Sequence, residues 1–106
     1  FFDNKKFFEF QDICKKEGIN VPIIPGLKPI STRKQLNILP HRFHCDLPVT
    51  LIKEIIKCKD NSQVKQVGIE WCIQQSKELR KAGVPFLHYY SMGKALNIKK
   101  IASEIF

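Results

Sequence analysis

Residues 21–31 read VPIIPGLKPIS, and this stretch does most to decide the fold. Its first part, Val21 to Ile24, is a short apolar run of mostly β-branched side chains, which predicts a buried strand. Pro25 and Gly26 end that strand sharply, and Pro29 restrains the loop that follows. A stiff loop directly after a strand is typical of a place where a ligand is held at little entropic cost.

Helical patterns and two further strand signals occupy the rest of the chain. Phe1-Phe2 is interpreted as the end of a strand, and Asn4 as the cap of the helix after it. Pro40 is expected to stop the second helix, since proline removes a backbone donor. Phe86 to Tyr90 forms an aromatic-rich strand. The five predicted helices lie at about residues 5–16, 32–39, 48–56, 62–81 and 94–104.

Short strands that alternate with helices predict βαβ units, in which a parallel sheet carries its helices on one side. A complete eight-stranded barrel needs ~250 residues, far more than this chain offers. We therefore expect an α/β fold, a partial TIM-type (β/α)8 barrel with roughly its last three βα units. Residues 1–106 would form the C-terminal part of a single barrel domain, with Phe1 an internal position of a longer polypeptide.

The charge of the chain leaves a second class of function open. Eighteen Lys plus Arg against ten Asp plus Glu give a net charge of +8, which suits a small basic module that binds nucleic acid. The basic residues are scattered along the predicted helices, however, and solvated helix surfaces explain them better. No apolar run approaches the ~18 residues of a membrane span, so we expect no membrane partner.

The cysteines and histidines give no disulfide framework and no metal site. None of the four cysteines lies in a C-x-x-C pair, which favours a reducing, cytoplasmic setting. His41, His44 and Cys45 are close in sequence, but no further ligands follow at zinc spacing. We expect no metal ion.

Candidate binding residues follow from the rule that ligands bind at the carboxyl ends of parallel strands. That rule selects three places: Phe2–Asp3, Pro25–Gln35 and Tyr90–Lys94. The Gln35 amide offers a donor and an acceptor, which suits a heterocycle with ring N–H and C=O groups. From the residues alone, a solvated surface amide is still the favoured interpretation. The aromatics of the last strand are expected in the core, and His88 is expected to be a hydrogen-bonded residue of the barrel.

Three blocks of the sequence carry a family resemblance: FFD at residues 1–3, IPGLKPIS at 24–31 with Lys34-Gln35, and AGVP at 82–85 leading to LHYYSMGK at 87–94. In this order they resemble the C-terminal third of methylenetetrahydrofolate reductases. Gly68-Ile69-Glu70 also matches the pattern of that family. The resemblance covers essentially all 106 residues.

The resemblance implies a cytoplasmic flavoprotein of one-carbon metabolism and methionine biosynthesis. Such an enzyme reduces 5,10-methylenetetrahydrofolate to 5-methyltetrahydrofolate with NAD(P)H through FAD, and folate and electron donor use one pocket in turn. The catalytic glutamate and most FAD contacts of the family lie before this chain. We therefore expect no catalytic residue here, give Glu70 no such role, and expect the 106 residues alone to be inactive.

The resemblance also assigns four substrate-binding positions. Gln35 matches a substrate-binding glutamine. Leu39 matches a position where a phenylalanine can pack on the substrate, so this chain keeps an apolar wall without ring stacking. Met92 matches an apolar substrate contact. Lys94 matches an arginine and keeps its charge, but not its bidentate fork, for the anionic tail of the folate.

An interaction domain without chemistry is a third hypothesis. A cut barrel leaves unpaired strand edges and an apolar inner surface, and both favour self-association. We expect a homo-oligomer, or a fragment that dimerises or aggregates when isolated.

Overall fold

The computed structural model describes residues 1–91 and 95–106 as a mostly helical α/β fold. Two short strands pair in parallel, with Gly26 opposite His88 and Leu27 opposite Tyr89. The predicted α/β class and parallel pairing are therefore confirmed, whereas the partial barrel remains a prediction. Its elements are α1 (Asn4–Lys16), β1 (Gly26–Leu27), α2 (Gln35–Phe43), α3 (Val49–Ile56), α4 (Asn61–Lys81), β2 (His88–Tyr89) and α5 (Ala95–Ile105).

Helix α4 organises the fold, and its predicted end at Lys81 is confirmed. Asp60 caps its start, where the carboxylate accepts a hydrogen bond of 3.0 Å from the Gln63 backbone N–H. Gly83, at φ +90°, takes the left-handed conformation that commonly follows a helix end. None of the helices in the described residues is both long and apolar enough to cross a membrane.

The apolar side chains form two clusters, and α4 contributes to both. The first lies toward α2 and α3, and the second lies between the sheet, α1 and α5. Buried residues of the first cluster are Phe2, Ile30, Leu39, Leu51, Ile55, Cys58 and Val64. Buried residues of the second cluster are Phe7, Leu27, Ile69, Cys72, Leu79, Val84 and Ile101.

The strand predicted at Val21–Ile24 is displaced toward the C-terminus. Val21 and Ile24 are 68% and 55% exposed, and the pairing occurs at β1 instead. The reason is that the ladder uses the carbonyl of Pro25, which accepts from the His88 N–H at 3.0 Å. Proline lacks a donor but keeps its acceptor, so it does not prevent this one-sided pairing. The predicted strand from Phe86 to Tyr90 likewise shortens to β2.

Proline 40 does not stop the second helix, contrary to the prediction. Helix α2 begins at Gln35 and continues through Pro40 to Phe43. A proline inside a helix forfeits one backbone hydrogen bond. That loss is offset because Leu39, which is 4% exposed, anchors this turn in the first cluster.

The start of the chain also differs from the prediction. Residues 1–3 form no strand, and Asp3 rather than Asn4 caps α1. Asn4 is buried instead, and its side chain donates to the carbonyl of Gln75 at 3.0 Å. Asp and Asn are equally good caps, so only the tertiary contact separates them. The indole of Trp71 holds this segment through a hydrogen bond of 2.9 Å to the carbonyl of Phe2.

Candidate functional site

A cavity of about 110 Å³ lies where the carboxyl ends of β1 and β2 meet. Its polar walls are Lys28, Ser31, Gln35, Tyr90, Ser91 and Asn97. Two of the three predicted places, the segment after β1 and the segment after β2, therefore come together. Parallel pairing brings them together, because it puts both strand ends at the same edge.

A larger depression of about 590 Å³ adjoins this cavity, since Ser31 and Asn97 line both. Its remaining wall includes the first two turns of α4, with Asn61 and Lys65. Together the two spaces reach the size of ordinary ligand pockets, roughly 300–1,000 Å³.

Gln35 has a fixed orientation at the start of α2. Its Oε1 accepts hydrogen bonds from the backbone N–H of Ser31 at 2.7 Å and of Thr32 at 3.3 Å. Thr32 and Gln35 have the spacing of a capping box, in which a glutamine reaches back to the helix start. Both lone pairs of the amide oxygen are therefore engaged, and the Nε2 group is what Gln35 offers to a ligand. The acceptor of the amide is thus used within the chain, and any role of Gln35 toward a ligand stays a prediction.

Tyr90 begins the third predicted place, and it is a wall residue of the cavity to which the sequence gave no binding role of its own. Aromatic side chains on the last strand were expected in the core, but Tyr90 is 49% exposed. Its ring packs edge-on to the ring of His88, with centroids 4.7 Å apart. His88 is exposed too, and its expected role as a hydrogen-bonded residue of the barrel stays a prediction. A signal for this exposure existed in the strict alternation of side chains along a strand.

Tyr89 takes the opposite side of β2 and anchors the strand on α4. Its hydroxyl lies 2.7 Å from the Oγ of Ser76, which in turn donates to the carbonyl of Cys72 at 2.8 Å. Burial raises the pKa of Tyr89 and raises the pKa of the Cys72 thiol to about 12. Both groups therefore stay neutral at ordinary pH, and the hydrogen bond between Tyr89 and Ser76 ties β2 to α4.

The other predicted site residues do not all reach the cavity. Leu39 is buried in the first cluster, so its contact with a substrate stays a prediction that this burial disfavours. Met92 and Lys94 lie outside the described residues. Asp3 belongs to a separate groove of about 540 Å³ between α1 and α4, because residues 1–3 do not pair with β1.

Two further predictions concern Glu70, which is remote from this edge, and a metal site at His41, His44 and Cys45. Glu70 is exposed on α4, where its carboxylate accepts from the Gln66 side chain at 3.1 Å. In residues 1–91 and 95–106, no group of three His, Cys, Asp or Glu side chains is placed to hold a metal ion, His41, His44 and Cys45 included.

Comparisons with known proteins agree on one family. A family model described as methylenetetrahydrofolate reductase matches residues 1–105. The chain is 33% identical over 106 residues to "Methylenetetrahydrofolate reductase (NADH) 1" of Arabidopsis thaliana, covering 99% of this chain and 17% of the relative. It is 28% identical over 107 residues to "Probable methylenetetrahydrofolate reductase (NADPH)" of Caenorhabditis elegans, covering 99% and 16%. The "5,10-methylenetetrahydrofolate reductase" of Escherichia coli K12 is 29% identical over 96 residues, covering 90% and 32%.

Proposed function

Because this chain belongs to the methylenetetrahydrofolate reductase family, we propose that it forms part of the substrate pocket of such an enzyme. The enzyme would reduce 5,10-methylenetetrahydrofolate to 5-methyltetrahydrofolate with NAD(P)H. The names of the relatives include both NADH and NADPH enzymes, so the proposal covers both donors.

The orientation of Gln35 is the observation that carries this proposal. Its Nε2 group is the donor left after Ser31 and Thr32 have taken the amide oxygen. Because backbone N–H groups hold the Gln35 amide in place, its Nε2 donor needs no reorganisation to meet an acceptor on a bound heterocycle. A folate ring carries such acceptors in its carbonyl and ring nitrogens.

The adjoining depression suits the other end of a folate. Most of the residues that line it are polar types, and Lys65 is one of them. A cation there would attract the carboxylates of the folate tail. We keep Lys94 as a second candidate for this role, from its match to the arginine of the family.

The chain spans between 16% and 32% of the length of the relatives compared. The activity of the whole enzyme is therefore a proposal for the polypeptide as a whole. We propose that these 106 residues bind and orient substrate but do not catalyse by themselves.

FAD is the cofactor that we propose for the parent enzyme. The match to the family places most of its FAD contacts before this chain. We therefore assign the flavin contacts, and the hydride chemistry, to other parts of the enzyme.

Location and competing functions follow from the same reasoning. We propose a cytoplasmic enzyme, supported by four free cysteines in the structure. The family finding favours a reductase over a basic module for nucleic acid. We do not propose nucleic acid as a partner.

Substitution of Gln35 tests this proposal in the full-length protein. Gln35→Glu keeps an oxygen for the Ser31 and Thr32 N–H groups but removes the donor. We expect binding of 5-methyltetrahydrofolate to weaken about tenfold, the upper end for one hydrogen bond, while the melting temperature stays unchanged. Titration calorimetry measures the affinity.

The matched control is Gln66→Glu, which changes an exposed glutamine on α4 away from the cavity. It should leave folate affinity unchanged. Wild-type affinity in Gln35→Glu, with normal folding, would contradict the donor role of Gln35.

A further inference from the structure

We propose that Tyr90 is a further substrate-contact residue, an aromatic wall against which the planar ring of the folate packs, and that Gly26 positions it. This inference rests on the proposed function. The match to the family assigned Leu39 to a position where a phenylalanine can pack on the substrate. Because leucine lacks an aromatic ring, Tyr90 would add an aromatic contact that this match does not supply.

The side of β2 that carries Tyr90 is set by its neighbours. Tyr89 points toward α4, where its hydroxyl meets Ser76. Side chains alternate along a strand, so His88 and Tyr90 face away from the helices. The Tyr90 N–H also donates to the carbonyl of Leu27 at 2.9 Å, which fixes the backbone beneath the ring.

Gly26 leaves the space that the Tyr90 ring occupies. A Cβ atom added at Gly26 would lie 2.6 Å from Cε2 and 2.9 Å from the hydroxyl oxygen of Tyr90. Any other residue at this position would therefore push the ring away from β1. The absence of a side chain at residue 26 lets the ring lie against the backbone of the neighbouring strand.

The remaining face of the ring is available to a ligand. Tyr90 is 49% exposed although it packs on Gly26 and His88. It lines the cavity together with Gln35, whose amide is held by Ser31 and Thr32. A fixed aromatic face beside a fixed N–H donor matches a flat heterocycle that carries acceptors at its edge.

Ligand affinity in three variants of the full-length protein tests the inference. Tyr90→Leu should weaken binding of 5-methyltetrahydrofolate about threefold to tenfold, as expected for the loss of one aromatic pair. Tyr90→Phe keeps the ring and should bind like the wild type. Gly26→Ala should weaken binding as well, because it displaces the ring without changing residue 90.

Phe86→Leu provides the matched control for these variants. Phe86 is 60% exposed, precedes the same strand and does not line the cavity. It should leave folate affinity unchanged. Melting temperatures of all four variants report whether any loss reflects unfolding.

Chemical modification gives a second measurement that needs no substitution. The chain holds two tyrosines, and Tyr89 is hydrogen-bonded to the buried Ser76. Nitration by tetranitromethane, mapped by tandem mass spectrometry, should modify Tyr90 faster than Tyr89. Saturating 5-methyltetrahydrofolate should slow the nitration of Tyr90 severalfold.

The outcomes separate this inference from the function on which it rests. Normal folate affinity in Tyr90→Leu, together with no protection from nitration, would overturn the role of Tyr90 and leave the proposed function intact. Absence of any folate binding by the wild type would overturn the proposed function and this inference with it. Weaker binding in Tyr90→Leu and Gly26→Ala, with protection of Tyr90, would support both.

Discussion

Gly68 shows how a single residue sets the distance between α4 and the loop after β1. A Cβ atom added there would lie 1.8 Å from the carbonyl oxygen of Ile30. The obstacle is backbone, which cannot move aside as the end of a side chain can. The sequence marked Gly68 through its match to a family pattern, and the structure gives the physical reason.

Overpacking a well-packed core costs about 1–3 kcal/mol, and a backbone obstacle favours the upper end of that range. Alanine regains about 1 kcal/mol of helix propensity, so Gly68→Ala is expected to destabilise the fold by about 1–2 kcal/mol in total. Urea unfolding of the full-length protein, followed by circular dichroism, measures the change.

The control for this prediction is Gln66→Ala, on the exposed side of the same helix. It should stay within about 0.5 kcal/mol of the wild type. An unfolding midpoint of Gly68→Ala equal to that of the wild type would mean that α4 can move away from Ile30.

The helices differ in how well their ends follow from local sequence. For α4, the cap Asp60 and the terminating Gly83 are both local signals, and the predicted helix is confirmed. For α2, the local stop signal Pro40 is overridden by the burial of Leu39. Local chemistry decides a helix end where no tertiary contact competes with it.

At the scale of the element, Asp60→Ala should destabilise α4 by about 1 kcal/mol, because the Gln63 N–H loses its side-chain acceptor. Hydrogen exchange in the first turn of α4 should become faster. Asp60→Asn keeps an acceptor oxygen and should differ from the wild type by only a few tenths of a kcal/mol. Equal stability of the alanine and asparagine variants would show that the cap is dispensable.

The strands depend on each other more than on their own sequences. β1 lies where the N–H groups of His88 and Tyr90 can donate to Pro25 and Leu27, and it begins two residues after Ile24, the end of the apolar run. The same pairing assembles the cavity, since Gln35 and Tyr90 follow different strands. The sequence predicted that these two segments meet, but it did not predict which side chains face the space between them.

At the scale of the whole molecule, the sheet exposes apolar side chains on one face. Extension of the strand register by two residues puts Ile24 opposite Phe86, on the face that also carries His88 and Tyr90. Ile24 and Phe86 are 55% and 60% exposed. Exposed apolar side chains beside unpaired strand edges favour contact with further chains.

We therefore expect residues 1–106, expressed alone, to self-associate at high micromolar concentration. Sedimentation velocity measures the distribution of species. The double variant Ile24→Lys with Phe86→Lys should shift it toward the monomer, whereas Val49→Lys, at an exposed position on α3, should not. A clean monomer of the wild-type fragment would contradict this expectation.

The sequence by itself determined the family, the α/β class, the parallel pairing and the long helix α4, because these depend on motifs, hydrophobic period and local capping. Only the tertiary structure decided the position of β1, the burial of Leu39 and the orientation of Tyr90. Each of those three depends on atoms contributed by distant parts of the chain, whereas the neighbouring Ser31 and Thr32 orient the Gln35 amide locally. The candidate site depends on such contacts, since a donor and an aromatic wall face a ligand only after neighbouring strands have paired.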